Sequence, residues 1–220
     1  MLEASSLAKF YGERLVFKGV SLRLEAGRTL MVVGANGAGK TTLLRVLAGL
    51  SRPSAGSVRS GVERGRMAYL GHQTFIYPDA TASENLRFWT GLYGRDLDDA
   101  ALQDALERVG LRRFAQERAG AFSRGMAQRL NLARVFCIGP SLLFLDEPDT
   151  GLDVASTAML HDRVEALRRD GAAVAWVSHH LARDLAKADD VLFLDKGRAA
   201  YLGPASGFDA SDLSGAECAC

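Results

Sequence analysis

The 220-residue sequence predicts an α/β fold with a mostly parallel sheet, an N-terminal antiparallel β region and an inserted helical lobe. Three observations predict it. Apolar runs at Leu30 to Gly34, Met67 to Leu70, Leu142 to Asp146, Ala172 to Ser178 and Val191 to Leu194 recur with helical segments between them, the alternation that builds parallel sheets. Alternating apolar residues from Leu7 to Leu24, punctuated by Ala26-Gly27, read as antiparallel strands at a separate sheet edge. Between about Asp79 and Phe122 the strand pattern stops and helical periodicity replaces it. The expected organisation is one domain over 1–220: a core of residues 1–78 and 123–203, a helical lobe of 79–122 and a loosely ordered tail of 204–220, rich in Gly, Ala, Ser and acidic residues.

Taken in order, the first strand-to-helix junction carries the chemistry. Gly34-Ala-Asn-Gly-Ala-Gly-Lys40-Thr41-Thr42 follows an apolar strand and opens a helix expected over Leu43 to Leu50, the context of a Walker A loop. Glycines at 34, 37 and 39 let the backbone curl with its amides inward, where they and the helix N-terminus hold phosphate oxygens. Lys40 adds a point charge on the outer phosphates, Thr41 offers a hydroxyl to Mg²⁺ and Thr42 a further phosphate contact. The candidate nucleotide-binding residues here are Gly34, Asn36, Gly37, Ala38, Gly39, Lys40, Thr41 and Thr42. The core is therefore expected to be that of a P-loop NTPase.

In the lobe, Thr81 and Glu84 have capping-box spacing, and Leu102, Ala105, Leu106 and Val109 form an apolar stripe closed by Gly110. A helix is expected from Ser123 to Ile138, with Met126, Leu130, Ala133 and Val135 to Cys137 on or near its buried side, stopped by Gly139-Pro140. Leu142 to Leu145 then form a buried strand that delivers Asp146-Glu147 to its C-terminal end, where α/β sheets present ligand-binding groups, before Pro148 ends it. Two adjacent carboxylates can do different work: Asp146 holds Mg²⁺ through its water, and Glu147 orients a water for in-line attack on the γ-phosphate.

Composition narrows the partners. With 27 Lys+Arg against 26 Asp+Glu the formal charge is +1, which excludes unspecific nucleic-acid binding driven by overall charge, and no nucleic-acid partner is expected. The hydrophobic fraction of 48% and charged fraction of 24% are those of a folding globular chain. No apolar run approaches the roughly 18 residues of a membrane-spanning helix, and Met1 to Phe10 lacks the layout of a secretion signal, so a non-secreted soluble chain is expected. Three cysteines, Cys137, Cys218 and Cys220, are too few and too badly spaced for a disulfide framework, which fits a reducing compartment. Cys218-Ala-Cys220 supplies only two thiols, an incomplete metal or haem site. A GTPase switch would want an Asn-Lys-x-Asp segment, and the chain has none.

Together with Phe122-Ser-Arg-Gly-Met-Ala-Gln-Arg129, Thr150-Gly-Leu-Asp153 and Ser178-His179, these motifs resemble the ATP-binding subunits of ABC transporters over nearly the whole chain, from Tyr11 to about Gly203. The resemblance implies ATP and Mg²⁺ as ligands, ATP hydrolysis, a head-to-tail pairing with a second ATP-binding subunit, integral membrane permease subunits as partners, and residence on the cytoplasmic face of the bacterial inner membrane. It places Tyr11 as an adenine-stacking aromatic, the alternative being a strand aromatic in a small core. It places Ser123 and Gly125 in the signature motif, facing the γ-phosphate bound by the opposite subunit, although Phe122, Arg124 and Met126 depart from Leu-Ser-Gly-Gly-Gln. Ser123 also reads as an N-cap, as does Asp153. His179 resembles the switch histidine, its spacing to Asp190 and Leu194 favouring it over His180. The catalytic set is thus Glu147, His179 and Lys40, and the metal set Thr41, Asp146 and whichever of His72 and Gln73 takes the place of the family's linker glutamine. An apolar groove for the membrane partner is expected from Phe75, Ile76, Tyr77, Phe88, Trp89 and Tyr93 taken together, while the ordinary fate of any single one of them is the lobe's own core.

Gly71-His72, the absence of an appended regulatory domain and Ser-Arg-Gly-Met in the signature are similar to one subgroup, the ATPase of the haem exporter of bacterial cytochrome c maturation. The alternatives are the ATPase of another exporter, of drugs, lipids or polysaccharides, and a soluble non-transport ABC ATPase. The last usually carries tandem cassettes or a long coiled-coil insertion, for which 220 residues leave no room.

Overall fold

The computed structural model describes residues 1–71, 73–178 and 181–209. His72, His179, His180, Cys218 and Cys220 lie outside the described residues. The N-terminal pattern resolves into two antiparallel strands, β1 (Leu2–Tyr11) and β2 (Arg14–Leu24), whose alternate side chains bury Leu2, Ala4, Leu7, Phe17, Val20, Leu22 and Leu24. The chain then enters β3 (Thr29–Val33) and the helix α1 (Lys40–Leu47) and returns as β4 (Ala55–Ser60), which pairs antiparallel with the free side of β1. This gives a three-stranded sheet in the order β2-β1-β4. The sequence reading lacks β4 because Ala-Gly-Ser-Val-Arg-Ser carries one apolar side chain of any size, and backbone pairing with β1 makes the strand.

The helix α1 begins at Lys40 and ends at Leu47, which corrects the expected Leu43 to Leu50 at both ends. Leu43 N–H already bonds the Gly39 carbonyl at 2.8 Å, so Lys-Thr-Thr is the first helical turn. At the other end the N–H groups of Gly49 and Leu50 return to the carbonyls of Val46 and Arg45 at 3.1 and 2.8 Å, a closing pattern that consumes the last orphan acceptors.

After β5 (Met67–Leu70) come the lobe helices α2 (Ala82–Leu92) and α3 (Asp99–Glu107), then α4 (Arg124–Cys137). The capping box at Thr81 is present in both directions, Glu84 N–H to Thr81 Oγ1 at 3.2 Å and Thr81 N–H to Glu84 Oε2 at 2.7 Å. Thr81→Ala is expected to cost about 1 kcal/mol of stability, read as a lower urea midpoint with an unchanged slope. An unshifted midpoint would show that packing alone holds α2. Helix α4 serves two cores: Leu130 and Ala133 pack with the lobe residues Leu86, Leu102, Leu106 and Leu111, while Leu132, Val135 and Ile138 pack on the strands.

The chain continues through β6 (Leu142–Asp146), α5 (Val154–Arg169), β7 (Ala173–Val177), the short α6 (Leu181–Asp184), β8 (Asp190–Asp195) and β9 (Arg198–Pro204). Together with β3 and β5 these four strands form a second, six-stranded sheet in the order β5-β6-β7-β3-β8-β9, parallel throughout except for β9. β3, β6 and β7 are buried along their full length, which is why they read as continuous apolar runs. Of the tail expected over 204–220, residues 204–209 are described and the rest lies outside the described residues: β9 runs to Pro204, and Phe208 is buried with its ring centroid 6.0 Å from that of Phe193. One aromatic side chain seated on the outer face of β8 outweighs the small polar residues around it.

Candidate active site

The loop between β3 and α1 is shaped by contacts that only glycine allows. Gly34 has φ +146°, and a Cβ there would sit 2.3 Å from the Leu194 carbonyl oxygen on β8. Gly39 has φ +102°, and its Cβ would sit 2.8 Å from Val16 Cγ1 on β2. Both sheets therefore press on the loop, which curls between them because two Cβ atoms are missing. Lys40, buried at the start of α1, donates from Nζ to the carbonyls of Gly34 at 2.7 Å and Ala35 at 3.0 Å. Burial pushes its pKa down, and the nearby Glu147 and Asp146 charges pull it partly back.

Asp146 ends β6 almost fully buried. Its Oδ1 accepts from the Thr41 hydroxyl at 2.9 Å and its Oδ2 from the Tyr69 hydroxyl at 2.8 Å. The structure thus brings together two residues that lie 105 positions apart, the hydroxyl and the carboxylate expected to share a cation. Tyr69, on β5, is a partner that sequence reasoning missed, because a tyrosine in a short apolar strand carries no signal of a polar role. Burial, then the Asp146 charge, push its pKa well up, so the phenol remains a donor at neutral pH.

Glu147 sits one residue on, with φ +54°, and its N–H bonds the Val177 carbonyl at 3.0 Å. It lines a cleft of about 360 Å³ together with Tyr11, Asn36, Gly37, Gly39, Lys40, Thr41 and Thr42. Tyr11 is 55% exposed at the end of β1, with Lys9 Nζ 5.0 Å from its ring centroid. The alternative of a strand aromatic in a small core is thereby overturned, and the ring is presented to the cleft. Ala38 lies within the same loop and packs against the main core.

Other expected site residues lie apart. Gln73 is exposed and does not line this cleft. His72 and His179 lie outside the described residues. Ser123 caps α4 by accepting from Met126 N–H at 3.2 Å, and a Cβ on Gly125 would approach the Gly151 carbonyl at 3.7 Å. Neither Ser123 nor Gly125 lines the cleft. Asp153 caps α5 by accepting from Ser156 N–H at 2.7 Å, a bond that holds its carboxyl below the usual range.

A second group of polar residues surrounds the loop after Glu147, and sequence reasoning did not single it out. Gln128, buried in α4, donates from Nε2 to the Pro148 carbonyl at 3.2 Å. Arg183 bonds Asp149 Oδ2 at 2.5 Å and Asp184 at 2.7 and 2.9 Å. Asp184 also accepts from the Ser178 hydroxyl, and His161 Nε2 lies 3.6 Å from it while the imidazole stacks on Trp176. Burial would raise the Asp184 carboxyl, but the Arg183 guanidinium and the Ser178 hydroxyl outweigh it and hold it below the usual range.

The aromatic residues of the lobe divide between core and surface. Phe75, Tyr77, Phe88 and Leu92 are exposed, whereas Ile76 joins the lobe core and Tyr93 packs beneath the strands. Trp89 lies between, 5.6 Å from Phe88 and 6.3 Å from Tyr77 by ring centroids. The buried Arg134 guanidinium stacks 4.8 Å from the Trp89 ring centroid, and burial pushes its pKa down to about 10.

A family model described as ABC transporter matches residues 17–150. A cytochrome c biogenesis ATP-binding export protein, CcmA, of Methylococcus capsulatus is 42% identical over 186 residues, covering 80% of this chain and 90% of that protein. The ABC transporter ATP-binding protein NatA of Bacillus subtilis is 34% identical over 210 residues, covering 89% of this chain and 85% of that protein. A solved structure described as the ATP binding subunit of an ABC transporter matches with a TM-score of 0.87 at 26% identity, covering 97% of this chain and 98% of that one. On these likenesses the chain belongs to the ABC transporter family, as an ATP-binding, ATP-hydrolysing subunit.

Proposed function

We propose that this subunit drives a membrane permease that exports haem for cytochrome c biogenesis, working as a head-to-tail pair at the cytoplasmic face of the bacterial inner membrane. The observation that carries the ATPase part is the cleft in which Glu147 faces the phosphate-binding loop while Thr41 Oγ1 and Asp146 Oδ1 meet at 2.9 Å beside it. ATP phosphates lie on the amides of Gly37 to Thr42 and on Lys40, and the adenine stacks on Tyr11. Thr41 and Asp146 are hard oxygen donors and fit Mg²⁺, which when bound neutralises phosphate charge and aligns the outer phosphates. Glu147 accepts the proton of the attacking water. Ser123 and Gly125, set apart from the cleft, support a site completed by the signature helix of a second chain, and His179 is assigned to the γ-phosphate by motif. Gln73 and His72 remain the two candidates for the linker position.

Export for cytochrome c biogenesis is supported by relatives of that printed function at 37 to 42% identity in Methylococcus capsulatus, Nitrosospira multiformis and Cupriavidus metallidurans. Among the described residues no helix is long and apolar enough to cross a membrane, so any transport needs a partner. The exposed Phe75, Tyr77, Phe88 and Leu92 offer the docking face. The similarity to NatA and to a linearmycin resistance ATP-binding protein of Bacillus subtilis favours a second reading, export of another cargo.

The test is to isolate the protein from its own membranes, identify the subunits that accompany it and assay ATPase activity in the same fraction. Haem-delivery subunits, with loss of c-type cytochromes when the chain is deleted, are the expected result. Another permease would discard haem and keep the rest; ribosomes or DNA in their place would overturn transport. Phe88→Asp, which leaves the cleft untouched, is expected to release the chain into the soluble fraction with basal ATPase unchanged. Full retention on membranes would remove the aromatic face as the docking site.

A further inference from the structure

The strongest unassigned feature is the charged cluster behind the catalytic loop. Glu147 holds a backbone conformation with φ +54°, which non-glycine residues occupy at a cost of order 1 kcal/mol and keep only where the surroundings over-determine it. Among the described residues, ties from three different elements help to do so. Val177, at the end of β7, accepts the Glu147 N–H; Gln128 of α4 donates to the Pro148 carbonyl; and Arg183 of α6 bonds Asp149. The last tie is the only charged one of the three. Arg183 serves two buried carboxylates at once, Asp149 in the loop and Asp184, which is 1% exposed and accepts from Ser178. His161 faces the same carboxylate from α5.

We infer that Arg183 is a positioning residue for the ATPase reaction, holding Asp149 against Asp184 so that the Glu147 carboxylate stays aimed into the phosphate cleft. This rests on the reading of Glu147 as the group that takes the proton from water. Removing the guanidinium takes away the positive charge that Asp149 and Asp184 share, and the repulsion between these two buried carboxylates then acts on the loop carrying Asp149, two residues from Glu147. Its displacement tilts Glu147 without touching the residues that hold the nucleotide.

The test uses full-length protein and Arg183→Gln, at a side chain 40% exposed and so tolerant of change. The expected result is a kcat about tenfold lower or more, with KM for ATP unchanged, because small misplacement of a reacting group is costly to rate and not to binding. Adding Asp149→Asn to Arg183→Gln removes one of the two carboxylates and is expected to restore part of the lost kcat. A merely structural role would not produce that rescue. In the Glu147→Gln background Arg183→Gln is expected to add no further loss, since both act through one group. If Arg183→Gln keeps the wild-type kcat, or loses it only in proportion to unfolded protein in a thermal melt, the inference falls alone. A wild-type protein without ATP turnover overturns the reading beneath it as well. Asp184→Asn, at a buried site, serves as a second variant, and normal kcat in its folded fraction also overturns the inference.

Discussion

Glu147→Gln is expected to lower ATP turnover by about 10²–10⁴-fold while ATP binding persists. The change keeps the shape of the side chain and removes its ability to accept a proton. The proposed nucleotide contacts other than Lys40 do not depend on that charge: the loop amides, the Thr41–Asp146 contact at 2.9 Å and the ring of Tyr11 are unaltered, and Lys40 loses only a neighbouring negative charge. The variant should therefore accumulate with ATP bound and, given a site shared between two chains, as a dimer. Equilibrium nucleotide titration, phosphate release and sedimentation in the presence of ATP read the three properties separately. Normal turnover would remove Glu147 as the base and move attention to another group lining the cleft.

Lys40→Met is expected to act on the other quantity, weakening ATP binding by about 10–100-fold, the range for losing a hydrogen bond to a charged group. Methionine retains much of the buried stem, so a cavity does not confound the result. Lys40 Nζ also ties the carbonyls of Gly34 and Ala35, so the loop itself loosens when the ammonium is gone. The readout is the dissociation constant for ATP in a titration, with a thermal melt of the same sample to confirm folding. An unchanged dissociation constant would mean that the backbone amides hold the phosphates unaided. The two variants separate the roles: one should bind and fail to turn over, the other should fail to bind.

Much of this site was legible because its residues are close in sequence. The loop from Gly34 to Thr42 is a local motif whose glycines, lysine and threonines are all needed within one turn of chain, and Asp146-Glu147 follows an unbroken apolar strand. Helix caps at Thr81, Ser123 and Asp153 were equally readable, because a cap is a bond between residues three apart. The strands missed were those whose side chains do not announce them: β4 is mostly exposed and polar, and β9 is exposed or half-buried along its whole length, with no buried face.

What the sequence by itself determined is the order of the apolar strands and of the main helices between them, the phosphate loop and the carboxylate pair, since burial periodicity and short-range spacing are properties of neighbouring residues. Only the tertiary structure decided that Tyr11 faces the cleft and not a core, that Tyr69 shares Asp146 with Thr41, and that Arg183 clamps Asp149 to Asp184. Those contacts join residues between 34 and 105 positions apart, apart from the adjacent pair Arg183 and Asp184. They exist because the sheet sets β5, β6 and β7 side by side and brings their C-terminal ends to one edge, an arrangement that no local pattern encodes.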